Sequence, residues 1–134
     1  MERSTLAEIV VGWPPIKDRI LEAFPAVRAR RGVIFSWGSI IYNPHNVAIP
    51  PALRAHEAVH EVQQNGDPLA WWERYIADPA FRYEQELLAH RAEWRAQPNR
   101  AARRAGLVEI ARRLSSPMYG GLITFDQAKA AISA

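Results

Sequence analysis

Proline occurs ten times in the 134 residues. Its placement limits the fold more than any other feature, because a residue with a fixed φ and no backbone N–H opens or ends an element wherever it stands. Pro14-Pro15 predicts the start of a helix through Ile16, Ile20, Leu21 and Phe24, closed by Pro25. Gly32 to Gly38 (GVIFSWG) and Ser39 to Tyr42 (SIIY) are β-branched and aromatic runs ended by Asn43-Pro44, and they read as two short strands of a hairpin. Asn46 to Ile49 predicts a third extended piece before Pro50-Pro51. From there the patterns are helical. Pro51 opens a helix stopped by Asn65-Gly66. Leu69 to Ile76 is a short aromatic helix or connector ending at Asp78-Pro79, and Phe81 to Ala96 is a longer helix ending near Pro98. Asn99 to Leu114 is helical with a break near Gly106. Ser115-Ser116-Pro117 and Gly120-Gly121 mark a loop, and Thr124 with Gln127 forms a capping box for a last helix through Ala131. With no repeat or linker, the expectation is one domain over residues 1–134 of α+β class, a small antiparallel sheet packed on helices with a helical C-terminal half.

Composition removes several chemistries. The chain has no cysteine, so disulfides, thiolate nucleophiles and cysteine zinc sites are excluded, and His, Asp and Glu are the strong metal ligands that remain. Near the start, Ile9-Val10-Val11 is the longest apolar run, and nowhere do 18 apolar residues follow one another. No membrane span or secretory leader is expected, and the expected location is cytoplasmic. The formal charge is +3. Its densest basic stretch, Arg91 to Arg113, reads as a solvated helical face, so nucleic acid is not expected as a partner. The five tryptophans read as core or interface.

Within the helix opened by Pro51 stands His56-Glu57-Ala58-Val59-His60, the pattern HExxH. On a helix, residues four apart share a face, so the two imidazoles can hold one zinc ion while Glu57 faces a bound water. Leu53, His56, His60 and Gln63 or Gln64 fall on one side, with Ala55, Val59 and Val62 as an apolar stripe on another. Two histidines alone hold zinc poorly, and a third ligand is required. The helix after Pro79 offers two carboxylates, Glu84 and Glu86, which differ by about 200° around the axis, so only one can face His56 and His60.

Here the chain resembles the gluzincins, zinc peptidases in which HExxH is followed by a helix carrying Glu in an ExxxD or ExxAD pattern. Glu86-Leu87-Leu88-Ala89-His90 fits ExxA, with His in place of the usual Asp. Ile41-Tyr42-Asn43-Pro44, His56 to Gln63 and Glu86 to His90 together are similar to small bacterial and phage-type peptidases, in order, over roughly residues 33 to 95. The resemblance implies a zincin-like fold, Glu86 as third ligand, and His90 hydrogen-bonded to a ligand imidazole. It also implies a zinc-dependent peptidase acting on a peptide or protein substrate, with Glu57 as general base. The substrate would lie as an added strand on the sheet edge. The alternative is a non-catalytic zinc-binding domain that mediates a protein interaction. For stabilising charge on the reacting carbonyl, Tyr119, His45 and Tyr83 are the candidates. Tyr42 and His45 precede the zinc helix, where Asn43-Pro44-His45-Asn46 reads as turn chemistry.

Overall fold

Three consecutive helices begin on a proline, as the missing N–H of that residue allows. The computed structural model describes residues 7–134, and among them α2 (Pro51–Gln64), α3 (Pro68–Ala77) and α4 (Pro79–Arg95) follow one another with only short connections. Asp67 caps α3 through the N–H of Ala70 at 3.1 Å, and Asp78 caps α4 through that of Phe81 at 3.1 Å. Asn65, at φ 48°, adopts the left-handed conformation that ends α2. The remaining helices are α1 (Lys17–Ala23), α5 (Arg100–Leu114) and α6 (Phe125–Ser133), with 3-10 turns at Pro25–Ala29 and Pro117–Tyr119. The expected Thr124–Gln127 capping box opens α6. No break falls at Gly106: α5 runs through it. The glycine serves close packing instead, since a Cβ there would meet the Gln97 side chain at 3.3 Å.

Among the described residues the sheet has three strands in the order β1-β3-β2: β1 (Glu8–Val10), β2 (Phe35–Trp37) and β3 (Ile40–Tyr42). β2 and β3 form the expected antiparallel hairpin, with Ser36 opposite Ile41. β1 pairs with β3 in parallel, Ile9 beside Ile41. The sheet is therefore mixed, not purely antiparallel. A three-residue strand is too short for alternation to reveal, and its parallel partner is reached only after α1 has crossed over. The extended piece expected at 46–49 is no strand. The Asn43 side chain accepts from the Val47 N–H at 3.1 Å and donates to the Val47 carbonyl at 2.8 Å, folding the segment into a turn with Asn46 at φ 51°.

The apolar core gathers Ile20, Leu21 and Phe24 of α1 with Trp71, Trp72 and Tyr75 of α3. It continues through Ile110, Ala111 and Leu114 of α5 to Ala128 and Ile132 of α6. Trp13, Trp37 and Trp94 pack against its margin, consistent with a core role for the tryptophans. Among the described residues no helix is long and apolar enough to cross a membrane. The helix α2 reverses the usual rule. Its buried residues are His56, Glu57, His60 and Gln64, while Val62 of the expected apolar stripe is 78% exposed. The polar face packs inward, against α4.

Candidate metal centre

A packed pair, α2 and α4, builds the site. His56 and His60 stand one turn apart on α2, their ring centroids 4.9 Å from each other, and Glu86 reaches them from α4. The Oε1 atom of Glu86 lies 3.4 Å from Nε2 of His56 and 3.2 Å from Nε2 of His60. Potential ligand atoms of the three residues fall within 4.8 Å of one another, and all three residues are buried. These nitrogen–oxygen separations suit one tetrahedral ion, since bonds of 2.0–2.1 Å place neighbouring ligand atoms about 3.3 Å apart. Two imidazoles and a carboxylate also fit the donor chemistry of zinc, although other divalent transition ions accept the same set. Glu84 is exposed, so of the two carboxylates Glu86 is the one brought to the histidines.

Around this triad each side chain is held from behind. Nδ1 of His56 donates to Oε1 of Glu93 at 2.9 Å, and Glu93 is gripped by Arg113 of α5 through bonds of 2.6 and 2.9 Å. Nδ1 of His60 donates to Oε1 of Gln63 at 2.8 Å, and the Gln63 amide is fixed in turn by donating to the Gln85 carbonyl at 3.1 Å. Both tautomers so selected turn Nε2 toward Glu86. The second oxygen of Glu86 accepts from the Tyr75 hydroxyl at 2.6 Å.

The place expected for His90 belongs to Glu93. His90 makes no hydrogen bond to a ligand imidazole: its Nδ1 meets the Glu86 backbone carbonyl at 2.6 Å, and its ring stands edge-on to that of His56 at 4.6 Å. Glu93 lies seven residues beyond Glu86 and so returns to the same helical face, two turns on. The heptad spacing could have pointed to it. Nothing in the sequence singled out Tyr75 or Arg113, which come from helices outside the motif.

Burial and charge act against each other here. Burial lowers the pKa of His56, but hydrogen bonds to Glu86 and Glu93 outweigh it and raise the value to about 10. His60 is raised as well, burial being overcome by Glu86. Burial would lift Glu86, yet the two histidines hold it well below the usual carboxylate range. Glu57 is different. Burial raises its pKa and the histidines only partly oppose this. Burial and the Glu86 charge push the hydroxyls of Tyr75 and Tyr119 well up, so both stay protonated.

The centre opens on a cavity of about 210 Å³ that also takes in Glu57, Tyr75 and Tyr119 and has apolar walls from Phe24, Val27 and Phe35. His45, Tyr42 and Tyr83 do not line it; the His45 ring instead lies edge-on to Trp13 at 6.0 Å. The strand nearest the cavity, β2, is closed to an added strand at its centre. The outward carbonyl of Ser36 already accepts from Nε2 of Gln64 and Nε1 of Trp72, each at 2.9 Å. Part of the basic stretch is also internal, since Arg113 serves Glu93 and Arg91 donates to the Ala131 carbonyl at 2.9 Å. Comparison of the chain with protein-family models, curated proteins and solved structures finds no match.

Proposed function

We propose that this protein is a zinc-dependent peptidase of gluzincin type with a zincin-like fold. One observation carries the reading: Nε2 of His56, Nε2 of His60 and Oε1 of Glu86 converge at the wall of a cavity that also holds the buried Glu57 carboxyl. Three protein ligands with space beyond them are the pattern of a catalytic site; a structural zinc site has four and is closed. A zinc ion bound by these residues supplies a Lewis acid and lowers the pKa of a water it holds to about 7.

The chain's own residues do the rest. Glu57 accepts a proton as the water oxygen bonds to the peptide carbonyl carbon, and it returns that proton to the amide nitrogen as the C–N bond breaks. Glu93 and Gln63 keep the two imidazoles aimed, so the ligand atoms need no rearrangement. Apolar walls exclude bulk water from the reacting bond. Because β2 is occupied at Ser36, the substrate is aligned by the cavity and not by pairing at that position.

Hydrolysis of fluorescein-labelled casein, with zinc content measured in parallel, tests the reading. Glu57→Gln is expected to lower the rate by about a thousandfold while one equivalent of zinc stays bound. Casein hydrolysis that survives this change would overturn the reading. Bound zinc with no hydrolysis by the unaltered protein would leave the non-catalytic zinc-binding domain.

A further inference from the structure

The hydrogen-bonding edge of β2 is filled by a side chain from the helix that carries the two histidines. Among the described residues β2 is an outer strand, with β3 on one side of it. Gln64 stands four residues beyond His60, so it shares the face of α2 that holds His56 and His60, and it is buried. Its amide makes two bonds to that edge. Nε2 donates to the Ser36 carbonyl at 2.9 Å, and Oε1 accepts from the N–H of Gly38 in the turn that follows. A primary amide carries the same acceptor and donor as a peptide group. Gln64 therefore takes the two outward groups, one carbonyl and one N–H, that the main chain of an added strand would pair with. Nε1 of Trp72 gives the Ser36 carbonyl a second donor at 2.9 Å.

This edge lies beside the candidate metal centre. Ser36 lines the same cavity as His56, Glu57, His60 and Glu86, and its hydroxyl donates to the Glu57 backbone carbonyl at 3.5 Å. β1, which holds the other edge of the sheet, contributes no residue to that cavity. We infer that Gln64 is a specificity-determining residue: its amide holds the place of a substrate main chain on β2, so the site favours short peptides seated in the cavity by their side chains over long extended chains. The inference rests on the peptidase reading. An extended chain that pairs here must first displace the Gln64 amide, and the bonds it gains only replace those it breaks. A short peptide whose side chain enters among Phe24, Val27 and Phe35 gains apolar burial and displaces nothing from β2.

Gln64→Ala removes the amide and opens the edge. kcat/KM for fluorescein-labelled casein should rise about tenfold, mostly through KM, while that for acetyl-alanyl-phenylalanyl-alanine amide stays within about threefold. Zinc affinity should also hold within about threefold, since the Gln64 amide bonds to Ser36 and Gly38 and not to the three convergent side chains. If Gln64→Ala does not fold, Gln64→Met, which keeps the length of the side chain without its amide, is measured in its place with the same direction expected. Where the tripeptide is cleaved, casein hydrolysis that rises no more than tripeptide hydrolysis overturns the inference. A second measurement needs no turnover. In protein carrying Glu57→Gln, exchange of the Gly38 amide hydrogen is followed by NMR with an acetylated, amidated decapeptide of alternating threonine and lysine. The peptide should slow that exchange about fivefold when Gln64→Ala is also present and leave it unchanged when Gln64 is intact. No slowing with Gln64→Ala overturns the inference. Absence of hydrolysis of both substrates by the unaltered protein and by Gln64→Ala defeats the peptidase reading, while the Gly38 exchange still decides whether Gln64 keeps a strand from β2.

Discussion

Where α5 and α6 bury their faces, the enclosed residues are Ile110, Ala111 and Leu114 on one helix and Ala128 and Ile132 on the other. Where α2 and α4 do so, they are His56, Glu57, His60 and Gln64 against Arg82, Gln85, Glu86, Ala89, His90 and Glu93. The first surface gains free energy simply by leaving water. The second places several ionisable groups at low dielectric, where each must be hydrogen-bonded or charge-paired to be tolerated. Nearly every one is. Helix pairs thus do different work in one small fold: one pair buries apolar side chains, and the other encloses ionisable groups in a fixed geometry at a cost in stability.

The largest expected effect separates these two roles. Zinc at a thousandfold excess over its Kd should raise stability by about 4 kcal/mol. His60→Ala should abolish this increment. Leu114→Ala, in the apolar pair, should cost about 3 kcal/mol through the cavity it leaves, yet keep the zinc increment intact. Denaturant titrations with zinc and with chelator measure both. If Leu114→Ala also removed the zinc increment, the two pairs would be one cooperative unit and the distinction would fail.

The same contrast explains what could be read from the chain. The apolar pair and the helix starts follow from spacing and from proline, Asp and Thr caps, which are local signals. The meeting of His56, His60 and Glu86 was legible in part because residues four apart on a helix share a face. Glu93 was missed because its heptad spacing says only that it shares a face with Glu86; its partners His56 and Arg113 reach it from α2 and α5 across tertiary contacts. Tyr75 escaped for the same reason, since its partner Glu86 lies across a tertiary contact. The parallel β1 was hidden by its length of three residues.

Glu93→Gln gives the next effect in size. It removes the charge that holds His56 and leaves Arg113 without its carboxylate, and zinc affinity should drop about 10–100-fold. A competition assay against a chelator reports it, and an unchanged affinity would return the positioning role to some other group. pH sharpens this test. His56 has its pKa raised to about 10, and zinc requires the neutral ring, so binding displaces a proton at any lower pH. Affinity should rise by up to about tenfold per pH unit between pH 6 and 8 on this account. The metal-free protein should behave oppositely. A pKa raised above 6.5 contributes stability that is fully present below pH 6.5 and is lost as pH climbs toward 10. In Glu93→Gln both slopes should flatten, since one cause of the raised value is gone.

His90 should matter least, which is the opposite of what a ligand-orienting histidine would do. Its ring is fully buried and its Nε2 has no partner among the described residues. Burial, then the neighbouring His56 charge, lowers its pKa to about 3. His90→Leu fills similar space and removes an unsatisfied nitrogen, while Glu86 keeps its carboxylate bonds to Tyr75 and His60. Zinc affinity should change by less than about threefold, and stability near pH 8 by no more than about 1 kcal/mol. Acid should reveal the substitution. A histidine with a depressed folded pKa takes up a proton in the unfolded chain first, so the unaltered protein loses stability from this residue as pH falls below 6.5. The leucine variant lacks that penalty and should gain on the unaltered protein between pH 6.5 and 5, as read by urea midpoints with chelator present. A zinc affinity reduced as far as in Glu93→Gln would instead restore His90 as the partner of a ligand imidazole and remove the distinction between the two residues.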